Sequence, residues 1–100
     1  MIAFTSQLAH VVSSAYVKTP LAPKHKGFSA GSFRDMTRVA RLNENMWTEL
    51  FLENDDLLLR ETELLIGQLT EYRDALKSRD EEKLRSLLRE GRQIKESLEE

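Results

Sequence analysis

Leu57-Leu58-Leu59-Arg60-Glu61-Thr62-Glu63-Leu64-Leu65-Ile66-Gly67-Gln68-Leu69-Thr70-Glu71-Tyr72-Arg73-Asp74-Ala75-Leu76 decides the fold class of this chain. Leu58, Thr62, Leu65, Leu69, Tyr72 and Leu76 recur at alternating spacings of four and three, a heptad-like seam that Leu57 and Leu64 widen. Strands repeat every second residue, so the pattern specifies a long helix. Downstream, Ser78 and Glu81 have capping-box spacing and predict a last helix in which Leu84, Leu87, Gly91, Ile94 and Leu98 continue the rhythm. Gly91 on that apolar line would permit a close helix crossing. Upstream, Asn43 is an expected N-cap for a helix bringing Trp47, Leu50 and Phe51 to one side.

Residues 44 to 77, if continuous, would make a helix of roughly 50 Å at about 1.5 Å per residue. A compact domain of this length has a radius of gyration of about 13 Å. A bend is therefore expected at Glu53-Asn54-Asp55-Asp56, where Asn and Asp side chains compete for the backbone. Even bent, the chain has more apolar helix face than its own helices can cover, and a symmetric homodimer is the economical solution.

The first seventeen residues contain no Asp, Glu, Lys or Arg, although the remainder is heavily charged. Phe4, Leu8, Val11 and Ala15 fall at helical spacing, with Val12 and Tyr16 beside them; Ala3, Ser6, Gln7, His10 and Ser14 fall on the other side. A helix showing that side to water would carry charges, so burial on nearly all sides is expected, with the small polar face turned to a ligand or another domain. Helical spacing is already running at Ile2 with no N-cap before it, which predicts further residues upstream. Thr19-Pro20 should end the helix near Lys18. Pro20 to Gly31 should form a loop, with Lys24-His25-Lys26 solvated within it.

Gly31-Ser32-Phe33-Arg34-Asp35-Met36-Thr37-Arg38-Val39-Ala40 carries the chemistry. Ser32 and Asp35 predict a short helix from near Phe33 to near Leu42. On it Phe33, Met36 and Ala40 share one side, and Arg34, Arg38 and Arg41 the other. Guanidiniums this close repel unless an anion sits among them, and an Arg fork binds both oxygens of a carboxylate. A solvated basic face is the bland alternative. Asp35, which can pair with only some of the arginines, and the preceding small-residue stretch Gly27-Phe28-Ser29-Ala30-Gly31, which admits close approach to backbone, favour an anion site.

Fifteen basic against seventeen acidic residues give a net charge of −2, which argues against a nucleic-acid footprint. Cysteine is absent, so there is neither disulfide nor thiolate metal site, as suits a reducing compartment such as the cytoplasm. No apolar run approaches membrane-spanning length, and no basic n-region precedes the first helix. A hundred residues suggests one domain with one modest core.

Residues Gly31 to Ala40, with Met46-Trp47 and Phe51-Leu52-Glu53-Asn54, resemble the C-terminal helical domain of prephenate dehydrogenases. Ser6-Gln7-Leu8-Ala9-His10 is similar to that family's Ser-His-Leu-Pro-His segment, with Gln7 and Ala9 as departures. The resemblance implies an all-α helical dimerisation domain of the 6-phosphogluconate-dehydrogenase C-terminal-like type, its long helices forming an intertwined dimer. It also implies tyrosine biosynthesis by NAD-dependent oxidative decarboxylation of prephenate to 4-hydroxyphenylpyruvate. By this resemblance, residues 1–100 are a single substrate-binding and dimerisation fragment. NAD and the catalytic groups would belong to an absent N-terminal dinucleotide-binding domain, since no Gly-x-Gly-x-x-Gly or strand–helix alternation occurs here. His10, Gly31, Arg38 and Trp47 would bind the dicarboxylate substrate, with Arg38 as the main clamp and Trp47 reaching over from the second subunit. Arg34 and Asp35 would form ion pairs at the pocket mouth. Gln7 keeps hydrogen-bonding capacity but cannot carry a proton at neutral pH. Two alternatives stay open: the same domain of an arogenate dehydrogenase, and a non-enzymatic helical dimerisation or adaptor module, which would need neither His10 nor the arginine row.

Overall fold

A computed structural model describes residues 2–19 and 31–99. The expected loop, with Lys24-His25-Lys26 and Gly27-Phe28-Ser29-Ala30, lies outside them. The described residues contain helices and no strand: a π-helical segment Ala3–Gln7 leading into α1 (Leu8–Tyr16), then α2 (Gly31–Thr37), α3 (Glu44–Glu53), α4 (Asp55–Lys77) and α5 (Glu81–Leu98). An all-α fold is what the leucine seam requires. Packing divides the chain into two compact units, Met1–Thr62 and Glu63–Glu100, where one core was expected.

In the first unit the opening helix is buried on one side only, where burial on nearly all sides was expected. Ala3, Gln7, Leu8 and Ser13 are buried, while Ile2, Phe4, Tyr16 and Val17 are exposed, Phe4 by 58%. Leu8 N–H reaches back five residues to the Ala3 carbonyl, closing a π-turn. The small polar side is the inner one, while the apolar arc is divided: Leu8 is buried, Val11 and Val12 are half-buried, and Phe4, Ala15 and Tyr16 are exposed. α1 ends at Tyr16, with turns closed by Val17, Lys18 and Thr19, close to the stop that Thr19-Pro20 predicts.

α2 starts at Gly31, two residues earlier than expected, so Ser32 lies inside the helix; it also ends five residues earlier, at Thr37. There the Thr37 hydroxyl donates to the Phe33 carbonyl at 2.9 Å and Ala40 N–H closes on the Thr37 carbonyl at 2.9 Å. Two β-branched residues, Thr37 and Val39, weaken a segment too short to gain much from cooperativity. Arg38 and Arg41 consequently fall beyond the helix, and the three arginines do not form one helical row. α3 opens as the sequence indicates, with the Asn43 side chain accepting from Met46 N–H at 3.0 Å. The expected bend is at Asn54, between α3 and α4. Leu58 is buried one turn into α4.

The second unit, from Glu63, is the hairpin of the later part of α4 with α5. Ala75 and Leu87 are its buried residues, the Tyr72 hydroxyl donates to the Leu87 carbonyl at 3.3 Å, and Lys83 pairs with Glu71 at 3.7 Å. A Cβ on Gly91 would meet only the Tyr72 hydroxyl, at 3.9 Å. That is ordinary contact, so no close crossing within this hairpin demands the glycine.

The turn between the helices is built otherwise than as a Ser78 capping box. Asp80 N–H bonds the Ala75 carbonyl at 2.9 Å and Arg79 N–H the Leu76 carbonyl at 3.2 Å, the paired closure of a Schellman motif. Ser78 serves the end of α4, its hydroxyl donating to the Asp74 carbonyl at 2.9 Å. Asp80 caps α5 instead, its carboxylate accepting from Lys83 N–H at 3.0 Å. The motif puts Arg79 at φ 54°, a left-handed position normally taken by glycine. Arg79→Gly should therefore stabilise the chain by about 1 kcal/mol, seen as a higher urea midpoint with an unchanged slope. A lowered midpoint would mean that the arginine side chain contributes more than its backbone strain costs.

Candidate functional site

The inner face of the first helix meets α3 in antiparallel register. His10 stacks on Trp47 with ring centroids 4.2 Å apart and planes 24° apart. Three residues back along the first helix and three forward along α3, the Gln7 side chain meets Leu50: Gln7 Nε2–H donates to the Leu50 carbonyl at 3.1 Å. Phe51 extends the aromatic group, its ring 5.7 Å from that of Trp47 and tilted by 54°. On the other flank Tyr16 meets Phe33 of α2 edge to face at 5.5 Å.

His10 is half-buried and its protonation pattern is set by one contact. Its Nδ1 lies 2.8 Å from the Ser6 carbonyl oxygen. A carbonyl only accepts, so Nδ1 carries the hydrogen, and in the neutral ring Nε2 keeps its lone pair. The neutral histidine thus offers an acceptor at Nε2.

Gln7 is 6% exposed and uses both ends of its amide. Besides donating to Leu50, its Oε1 accepts from Asn54 Nδ2 at 2.9 Å. Ile2, Gln7, Leu50, Glu53, Asn54 and Leu57 line an open groove of about 550 Å³.

The remaining sequence-nominated residues are on the surface. Gly31 opens α2, and a Cβ there would meet nothing within 4 Å. Arg34 and Asp35 are exposed on α2, and Arg38 is exposed in the turn after it. Among the described residues no ion pair or side-chain hydrogen bond engages Arg34, Asp35, Arg38 or Arg41, so their guanidiniums and carboxylate are open to a ligand or another chain. The structure joins His10 to Trp47, but among the described residues no hydrogen bond, ion pair or ring contact joins either of them to the arginines. Gln7 and Asn54 are the residues that sequence reasoning undervalued, the first as a departure from a family segment and the second as a helix breaker. Their signal was two amides, one on an uncharged helix face and one at an expected bend. No group of three or more His, Asp or Glu side chains converges among the described residues, and no helix there is long and apolar enough to cross a membrane.

An all-α chain with a histidine–tryptophan pair held between antiparallel helices, and with leucine faces left open, is the kind of domain that supports a site and an assembly together. The family model described as "Prephenate dehydrogenase, dimerization domain" matches residues 1–90. The cyclohexadienyl dehydrogenase of Zymomonas mobilis is 34% identical over 98% of this chain and 36% of its own length. The prephenate dehydrogenase of Lactococcus lactis is 30% identical over 94% of this chain and 28% of its own. That of Bacillus subtilis is 32% identical over 79% and 23%. The chain belongs to the prephenate dehydrogenase dimerization-domain family, and it spans about a third or less of the length of these relatives.

Ser13 is 1% exposed, and its hydroxyl has no hydrogen-bond partner. A buried unsatisfied hydroxyl is destabilising, and alanine is also the better helix former. Ser13→Ala should raise the thermal midpoint by an amount equivalent to about 1 kcal/mol. A drop would reveal a partner for this hydroxyl in the assembled protein.

Proposed function

We propose that this chain is the assembly and substrate-holding part of an NAD-dependent prephenate dehydrogenase of tyrosine biosynthesis. The observation that supports it best is the His10–Trp47 stack, whose Ser6 contact leaves Nε2 free to meet a polar substrate. Family membership supplies the substrate class, and the unengaged Arg34 and Arg38 supply charge suited to a dicarboxylate. The described residues offer no strand and no glycine-rich strand-to-helix turn, so they do not fit a dinucleotide. NAD would be bound by another part of the whole enzyme, which would also carry the group that takes the ring-hydroxyl proton. This chain contributes binding and no bond-making step.

Assembly as a homodimer follows from the distribution of apolar surface. Among the described residues the buried apolar side chains are Ala3, Leu8, Leu58, Ala75 and Leu87, whereas Leu57, Leu59, Leu64, Ile66, Leu69 and Leu76 of α4 and Leu88, Ile94 and Leu98 of α5 are more than half exposed. So small a core cannot offset the conformational entropy of ordering these helices. Covering the seam with a second copy removes the deficit. Sedimentation of the chain at micromolar concentration should give a dimer of high helical content, and a clean monomer would sink this part of the reading.

The substrate site is tested through Arg38 in the whole enzyme. A carboxylate held by a bidentate guanidinium in a partly closed site is worth about 1.5–3 kcal/mol. Arg38→Ala should accordingly raise KM for prephenate by roughly ten- to a hundredfold, with the KM for NAD nearly unchanged. Arg38→Lys should recover part of the loss, since an ammonium keeps the charge without the fork. A KM within about twofold of the parent would return this arginine to the solvated surface.

A further inference from the structure

We propose that Gln7 is a positioning residue: through Leu50 and Asn54 it sets the direction in which α3 presents Trp47 to His10, an inference that rests on the reading of that site given above. The argument begins at the break between α3 and α4. In an uninterrupted helix the Leu50 carbonyl would accept from Asn54 N–H. Here Asn54 N–H turns to the Phe51 carbonyl at 3.2 Å, and Asn54 leaves helical geometry at φ −128° and ψ 32°. The Leu50 carbonyl thereby loses its intrahelical partner, and Gln7 Nε2–H replaces it at 3.1 Å.

The other half of the amide holds the residue that makes the break. Asn54 sits where an N-cap of α4 belongs, its carbonyl accepting from Leu58 N–H at 3.0 Å. An asparagine there normally turns its side chain onto the helix it precedes. This one donates its Nδ2–H to Gln7 Oε1 at 2.9 Å. One nearly buried amide therefore ties the opening helix to both sides of the bend. Neither bond can be exchanged for water without opening the contact, because Gln7 is only 6% exposed.

The latch and the stack are one helical turn apart, about 5 Å along two antiparallel helices. Gln7 with Leu50 and His10 with Trp47 are successive rungs of the same contact. Shifting or rotating α3 at the first rung displaces the indole at the second. Asn54 opens the hinge and Gln7 fixes its angle.

Trp47 is the only tryptophan in the chain, so its emission reads the second rung directly. Gln7→Ala and Asn54→Ala should each shift native-state Trp47 emission to the red and increase acrylamide quenching. The double variant should change no more than Gln7→Ala alone, as expected of two groups in one network. Leu8→Ala, which removes a buried side chain of the same helix outside the latch, should lower Tm yet leave native emission unchanged. Should Gln7→Ala lose its helical circular dichroism, Gln7→Glu decides. It keeps the size and the bond from Asn54 but cannot donate to Leu50, and it should give the same emission change in a folded chain. Unchanged Trp47 emission in folded Gln7→Glu and Asn54→Ala chains overturns the proposal. In the whole enzyme Gln7→Glu should raise KM for prephenate more than it lowers kcat. Changed emission with unaltered KM would leave the latch standing and remove the substrate-site reading beneath it.

Discussion

The first unit depends on a carbonyl that its own helix has released. A bend in a helix always strands backbone groups, and a stranded group that is also shielded from water is costly. At Asn54 the chain bends α3 away from α4, and the Leu50 oxygen is satisfied from the side by Gln7. This one requirement explains several features together. It explains why position 7 carries an amide able to donate and accept at once, and why Asn54 gives up its usual capping role. It also explains why Gln7 is turned inward beside Ala3 and Leu8. The histidine–tryptophan stack is the next contact along the same pair of helices, so the site inherits its geometry from a backbone repair.

The absence of charge in the first seventeen residues reads differently in this light. Its reason is not burial on all sides, for Ile2 and Phe4 are 66% and 58% exposed. A charged group on the inner face would have to replace Gln7 or Ser13, each under a tenth exposed, and would lose its hydration there. On the outer face a charge would disrupt only a covering partner. The uncharged outer arc therefore belongs with the open leucines of α4 and α5 as surface suited to association, and the uncharged inner side belongs to the site.

The sequence made the regular parts legible and hid the irregular ones. The α-class, the Asn43 cap and the bend near Asn54 follow from rules of periodicity and capping that act over a few residues. The one-sided burial of the first helix was hidden because which side packs on α3 is a tertiary fact that periodicity within one helix cannot reveal. The arginine row failed for a local reason, since β-branched Thr37 and Val39 end α2 before Arg38. At the hairpin, Ser78 and Asp80 both have capping chemistry, and the Schellman closure at Arg79 selects Asp80 by assigning Ser78 to the preceding helix. Within the site, His10 and Trp47 could be nominated one by one, but their stacking is a tertiary fact. So is the Gln7–Asn54 bond, between residues 47 positions apart.

α3 also connects the two roles proposed for the domain. Trp47 and Phe51 are half-buried on its inner side, while Met46 and Leu52 are exposed, Leu52 by 64%. Leu50, whose carbonyl receives the latch, keeps its side chain 37% exposed along the groove it lines with Gln7. A partner surface that packs on the Leu50 side chain presses on the same peptide that Gln7 holds. By linkage, whatever free energy association gains from ordering α3 is shared with the orientation of Trp47. On the function proposed above, substrate holding and assembly would not be two functions placed side by side. They would be two demands on one ten-residue helix, Glu44–Glu53, reconciled by the amide at position 7.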